Sequence, residues 1–396
     1  MHPIQKLISS LTYTRSRIIP LGGRNDPVNE KGLQFYLQFV DDLLAAGITP
    51  MITLFHWDLP EELYRRYGGF LNKEEFVADF AHYARVVFKA FGSKVKHWIT
   101  FNEPWCSCVL GYNTGSFAPG HTSDRTKSPV GDGSTEPWIA GHSILVAHGA
   151  AVKAYREKFK AQDGGEIGIT LNGRLMPYNH ESLLTNLTKG DWAKPWDSDN
   201  PADIEACDRK IEFAISWFAD PIYHGKYPDS MIAQLGDRLP AWSPEDIALV
   251  HGSNDFYGMN HYCANYIRAK TGEPELTDIA GNLELLLEDK NGHSIGPITQ
   301  SPWLRPCAVG FRKLLKWLSE RYGYPKIYVT ENGTSVLGEN DMPLEQLLED
   351  EFRVQYFQDY IGAMADAYTL DGVNVRAYMA WSLMEYVLIF SPSESS

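Results

Sequence analysis

The feature that most constrains the fold is an alternation repeated along nearly the whole chain: short β-branched or aromatic runs, each preceded by an amphipathic helical stretch. ITPMITLFHWD (48–58) follows GLQFYLQFVDDLLAAG, whose apolar residues recur at three and four positions. KHWITFNEP (96–104) follows EEFVADFAHYARVVFKAFG, and EIGITLNG (166–173) follows the helical stretch around AGHSILVAHGAAVKAYREKF. DFYGMNHY (255–262), KIYVTENG (326–333) and VRAYMAWSL (375–383) follow helical stretches in the same way. Helix–strand alternation without hairpin turns predicts a parallel sheet. Strands that are apolar nearly throughout predict burial on both faces. No G-x-G-x-x-G turn opens the pattern, so an α/β fold of the (β/α)₈ TIM-barrel type is favoured over a doubly wound sheet. Residues 1–396 read as one such domain.

In a barrel of this kind, polar residues at the carboxyl ends of the strands share one mouth. Those ends supply His56, Trp57 and Asp58; Asn102 and Glu103; Asn172; Asn260 and Tyr262; Glu331 and Asn332; and Trp381. Segment 271–299, polar and glycine-bearing, reads as a long loop over that mouth. Glu103 and Glu331 form the sharp pair. Each closes a β-run beside an asparagine and just before a chain breaker, Pro104 or Gly333. Two carboxylates facing across a pocket can split a glycosidic bond, one protonating the departing oxygen while the other attacks or activates water. In the retaining form of that chemistry the carboxyl groups lie about 5–5.5 Å apart. Asn102 suits a sugar hydroxyl, Tyr262 suits orientation of a nucleophile, and tryptophans offer flat faces to the C–H side of a pyranose. A lone strand-end glutamate is more often a helix cap or a surface ion pair, and a lone histidine such as His56 is more often structural. The coincidence of two Glu with Asn, Tyr and Trp at equivalent strand ends is what singles these out.

Charge and composition narrow the partners. The formal charge is −14, from 50 acidic against 36 basic residues with no Lys/Arg block, which argues against nucleic acid and against an anionic membrane surface. No H-x-H or HExxH spacing supports a metal. Five scattered cysteines, an odd number, read as thiols in a reducing compartment. MHPIQKLISSLTYT lacks an apolar export core, so a cytoplasmic location is the expectation. The sequons at Asn186 and Asn332 read as chance matches.

Taken together, the motifs resemble glycoside hydrolase family 1, the retaining β-glucosidases, in its fungal form. WITFNEP is similar to the family's acid/base motif and YVTENG to its nucleophile motif, which implies those roles for Glu103 and Glu331. TLFHWDLP resembles the segment whose His56, with Trp57 beside it, holds the glycone. DFYGMNHY resembles the segment that sets Asn260 and Tyr262 beside the nucleophile. SPWLRPCAVGFRKLL implies Trp303 on the leaving-group side, and AWSL implies Trp381 under the sugar ring. The resemblance runs from about Ser16 to Met384. It implies a covalent glycosyl-enzyme, no cofactor, and a small β-glucoside or cello-oligosaccharide as substrate; the oligomeric state stays open.

Both ends depart from the family pattern. The family's first strand, with its glycone-binding Gln, has no counterpart. YRFSISWSRI becomes SSLTYTRSRI, with Ser10 in the place of the Arg that pairs with the nucleophile. WSLMDNFEW becomes WSLMEYVLI, with Leu388 and Ile389 in the places of a sugar-gripping Glu and Trp, and the final helix is missing. The expectation is an incomplete barrel, with its first strand missing and its second degraded. The alternative reading is an impaired or inactive relative with at most weak sugar binding.

Overall fold

The computed structural model describes residues 8–12, 15–172 and 193–382. Ten strands lie within them: β1 (Ile8–Thr12), β2 (Thr49–Phe55), β3 (His97–Asn102), β4 (Glu166–Asn172), β5 (Ala193–Pro195), β6 (Tyr257–His261), β7 (Asn265–Ala269), β8 (Leu283–Leu286), β9 (Ile327–Asn332) and β10 (Val375–Ala380). Seven form one sheet in the order β1-β2-β3-β4-β6-β9-β10, parallel at every pairing. The sheet curls until β1 and β10 come within 8 Å at Cα, with no ladder between them. Each of the six runs expected to be strands supplies one of them. The stretch SSLTYTRSRI keeps its strand as well, since Ile8–Thr12 pairs in register with Thr49–Thr53. A ladder is made by backbone groups, so it tolerates serine and threonine where larger residues were expected.

Helices cover the outside of the sheet for the reason the periodicity gave. The helix Lys73–Phe91 starts at Asn72, whose side chain accepts from Glu75 N. It buries Phe76, Phe80, Tyr83, Ala84, Val87, Phe88 and Phe91, a stripe at three- and four-residue spacing. Full burial of each large apolar side chain is worth roughly 1.5–3 kcal/mol. Inside the curl a smaller layer of Met51, Ile99, Phe256, Tyr328 and Met379 packs together as a second buried cluster.

One expectation is corrected. Segment 271–299 is not loop throughout: β8 pairs antiparallel with β7, and β5 joins β7 in a separate three-stranded sheet. β7 and β8 are consecutive strands joined across residues 270–282, whereas β5 pairs with β7 from far off in sequence, beyond the reach of local periodicity. The segment's own residues do not line the large cavity at the mouth, whereas Ser301, Trp303 and Leu304 just after it do.

Candidate active site

Ladder register aligns the strand ends. Asn172 pairs with Asn260, Asn260 with Glu331, and His261 with Asn332. Register shifts fall at Asn102 between β3 and β4, at Asn260 between β6 and β9, and at Ala380 between β9 and β10. Bulges re-aim side chains beside active sites, and these three lie at the carboxyl ends of their strands; a fourth shift, between Val375 and Ala377, lies at the start of β10. Glu103 follows directly on β3 and Glu331 lies in β9, with β4 and β6 between these strands. On a flat sheet that separation would be roughly 14 Å at ordinary strand spacing. The curl brings both carboxylates to one cavity of about 950 Å³, where Glu103 is 1% exposed and Glu331 7%.

Glu103 stands just beyond β3 with φ +44°, a left-handed value that non-glycine residues seldom adopt. Trp57, at φ 71°, is held likewise and donates Nε1–H to Asn102 O at 3.1 Å. Such backbone strain persists only where surrounding contacts over-determine it. Glu103 N–H donates to Thr170 O at 2.9 Å, and Cys106 N–H donates to Glu103 O at 2.9 Å. The carboxylate accepts from Asn260 Nδ2 at 3.0 Å on Oε1 and from Cys106 Sγ at 3.2 Å on Oε2.

Asn260 is fully buried and organises this side of the cavity. Its Oδ1 accepts from Thr330 Oγ1 at 2.6 Å, while Nδ2 serves both Glu103 and Asn102 Oδ1. Asn102 Nδ2 in turn donates to His56 Nε2 at 3.1 Å, which fixes that nitrogen as the acceptor. Burial lowers the His56 pKa from its usual 6.5 to about 4, so the ring is neutral and able to accept. Its ring stacks on Trp381 at 5.9 Å and meets the edge of Trp57 at 4.9 Å.

Glu331 is held differently. Tyr262 OH donates to Glu331 Oε2 at 2.6 Å, and Trp303 meets the Tyr262 ring edge-on at 6.4 Å. The neighbouring Asn332 is fully buried, donating Nδ2 to His261 O and accepting from Tyr378 OH. That burial leaves no room for a sugar tree at its sequon. Gly333 passes so close to Trp381 that a Cβ there would lie 1.9 Å from the Trp381 carbonyl oxygen, and the Trp381 N–H bonds to Asn332 O at 2.8 Å. A residue without a side chain is required at that crossing. Among the described residues no three His, Cys, Asp or Glu side chains gather as a metal would require.

The chain as a whole has counterparts among known proteins. The Glycosyl hydrolase family 1 profile matches residues 8–392. The chain belongs to glycosyl hydrolase family 1. Beta-glucosidase 1B of Phanerodontia chrysosporium is 52% identical over 370 residues, covering 93% of this chain and 64% of that protein. The family 1 chain thus spans less than two thirds of that relative's length. A GH1 β-glucosidase from the fungus Humicola insolens, crystallised in complex with glucose, superposes with TM-score 0.89 at 69% identity, over 95% of this chain and 75% of that one. A rice Os3BGlu6 β-glucosidase mutant, solved in a covalent complex with Glc from GA4GE, gives TM-score 0.86 at 36% identity, over 94% and 75%.

Of the residues singled out from sequence, the cavity of this family 1 chain is lined by His56, Trp57, Glu103, Asn172, Tyr262, Trp303, Glu331 and Trp381. Asn102 and Asn260 lie one layer beneath, as the hydrogen-bond frame for Glu103 and His56. Leu388 and Ile389 lie outside the described residues, and at position 10 only the strand backbone is described. Sequence reasoning missed Cys106, Thr330, Phe117 and Leu110. Phe117 tilts against Trp57 at 5.3 Å and completes the aromatic wall. Thr330 alone carried a readable signal, as the residue before a strand-end glutamate.

Proposed function

We propose that this chain is a retaining β-glucosidase, with Glu331 as nucleophile and Glu103 as acid/base. The observation that carries the reading is the pair of buried carboxylates lining one cavity with unlike donors. The phenolic O–H of Tyr262 at 2.6 Å is a short, charge-assisted bond that favours the ionised form a nucleophile needs. Glu103 receives an amide N–H and a thiol, and a thiol is a weak donor. In the first step Glu331 attacks the anomeric carbon as Glu103 gives its proton to the departing oxygen. In the second, Glu103 takes a proton from water, which attacks the same carbon and releases Glu331. His56 and the faces of Trp57 and Trp381 suit the glycone, and Trp303 the leaving group. The fungal and plant β-glucosidase relatives support a β-glucoside as substrate, and a small β-glucoside or cello-oligosaccharide is the form proposed for this chain.

The test is turnover of an aryl β-glucoside against a Glu103→Gln/Glu331→Gln double variant. Rates well above the double variant support the proposal; equal rates from folded protein contradict it. Ser10, in the place of an arginine that pairs with the nucleophile in the family, favours a second reading: a sugar-binding relative without turnover. That reading expects glucose to raise the melting temperature while the assay stays silent.

A further inference from the structure

The Glu103 carboxylate has a partner with no role in the scheme above. Cys106 lies one helical turn beyond Glu103, in a π-helical stretch (Cys106–Leu110) that begins just after Pro104-Trp105. It is 4% exposed and lines the cavity beside the carboxylate. Its Sγ–H donates to Glu103 Oε2 at 3.2 Å. At the carboxyl end of β4, Asn172 Nδ2 approaches the same sulfur at 3.9 Å as a donor. Asn172 is 2% exposed and lines the cavity too. An amide N–H directed at the sulfur lone pairs leaves the thiol proton pointing toward the carboxylate, so the three residues form one donor chain, Asn172 to Cys106 to Glu103.

We infer that Asn172 and Cys106 are positioning residues for the acid/base carboxylate, an inference that rests on the proposed role of Glu103. The chemistry of sulfur explains why a thiol suits the place. During the reaction Glu103 alternates between acid and carboxylate. A thiol is a weak donor to the ionised form and a weak acceptor toward the protonated one, so it fixes the carboxyl group while favouring neither state strongly. A hydroxyl there would donate more strongly and favour the carboxylate; a methyl group would hold nothing. Asn260 secures the other oxygen, Oε1, so Cys106 determines the rotation of the carboxyl plane.

The experiment compares Cys106→Ser and Cys106→Ala through the pH dependence of kcat/KM on cellobiose, whose basic limb reports the acid. In Cys106→Ser that limb moves to lower pH by about half a pH unit or more, and in Cys106→Ala it moves to higher pH. Cys106→Ala also loses several-fold more kcat/KM on cellobiose than on dinitrophenyl β-glucoside, whose leaving group needs little protonation. Limbs that stay in place, or that move in the same direction in both variants, overturn the inference. A second readout does not need turnover. At a pH above the basic limb, where Glu103 is ionised, the infrared S–H stretch of Cys106, assigned by its loss in Cys106→Ala, shifts to higher frequency in Glu103→Gln because a carboxylate acceptor is replaced by a neutral amide. An unshifted band overturns the inference. A silent wild type with a shifted band would instead place the failure in the proposed activity.

Discussion

The carboxyl ends of β3 and β9 carry the same two residue types in opposite order, and the difference governs how each glutamate is held. On β9 the glutamate comes first: Glu331 stays within the ladder, paired with Asn260, and Asn332 follows as a buried anchor. On β3 the asparagine comes first: Asn102 is the last ladder residue, and Glu103 lies beyond it in a left-handed conformation. Glu331 therefore inherits its aim from the sheet, with a strong phenolic donor on Oε2. Glu103 is aimed by side chains gathered from three other strands or turns, Asn260, Cys106 and, through the sulfur, Asn172. A nucleophile needs a fixed approach line and a stable charge, whereas an acid/base needs to change protonation state in place.

The largest test of that contrast is the pair of carboxylate substitutions. Glu331→Gln is expected to abolish turnover of every glucoside. Glu103→Gln should lower kcat/KM by about 10²–10⁴-fold on alkyl glucosides and by far less on dinitrophenyl glucoside. Azide should speed Glu103→Ala by trapping the intermediate as glucosyl azide. Equal losses on both substrates in both variants would erase the distinction.

Next comes Tyr262→Phe, which deletes the phenolic donor at 2.6 Å. Hydrogen bonds to charged groups are worth roughly 1.5–3 kcal/mol, so a loss of about 10- to 100-fold in kcat/KM is expected. The acid limb of the pH profile should move to higher pH, because the carboxylate has lost the group that favoured its charge. An unmoved acid limb would place Tyr262 in packing alone.

A smaller effect is expected from Asn260→Ala, which releases Glu103 Oε1, Asn102 and the buried hydroxyl of Thr330 together. Stability should fall by about 1–3 kcal/mol in a denaturant titration, since buried polar groups lose their partner. Activity should drop on substrates that need protonation more than on activated ones.

The two sides are most weakly distinguished by acid. The His56 pKa is lowered by burial to about 4, and that of His261, under the Glu331 side, to about 3. Both lie below the unfolded value of about 6.5, so the unfolded chain takes up protons first. Stability contributed by the neutral rings is thus lost as pH falls from about 6.5 toward each folded value, roughly 1.4 kcal/mol per pH unit and ring. Asp58, raised by burial to about 7, works in the opposite direction between its ordinary value of 3.8 and 7. With fully buried His148 also lowered to about 3, the histidines outweigh it. The denaturation midpoint should be lower at pH 4.5 than at pH 7, and His56→Gln should reduce the drop. Because His56 supports Asn102, the Glu103 side should loosen first.

Much of this was legible in the sequence because strands end where apolar runs stop, and polar residues there inherit a common mouth. That logic reached Glu103, Glu331, His56, Tyr262 and Trp381 without knowledge of the third dimension. It did not reach Cys106, one turn past a strand end, whose aim depends on a π-helical winding that no periodicity announces. Nor did it reach the left-handed backbone of Trp57 and Glu103, which surrounding packing imposes. Asn102 was legible as a site residue, but its place beneath the wall depends on the register shift between β3 and β4.

The most direct measurement is peptide mass spectrometry after reaction with a 2-deoxy-2-fluoro-glucoside that traps the glycosyl-enzyme. The account predicts one added fluoroglucosyl group, on the peptide carrying Glu331, and none in Glu331→Gln. A label on Glu103, or folded protein that stays unlabelled while still turning over an aryl glucoside, would contradict it.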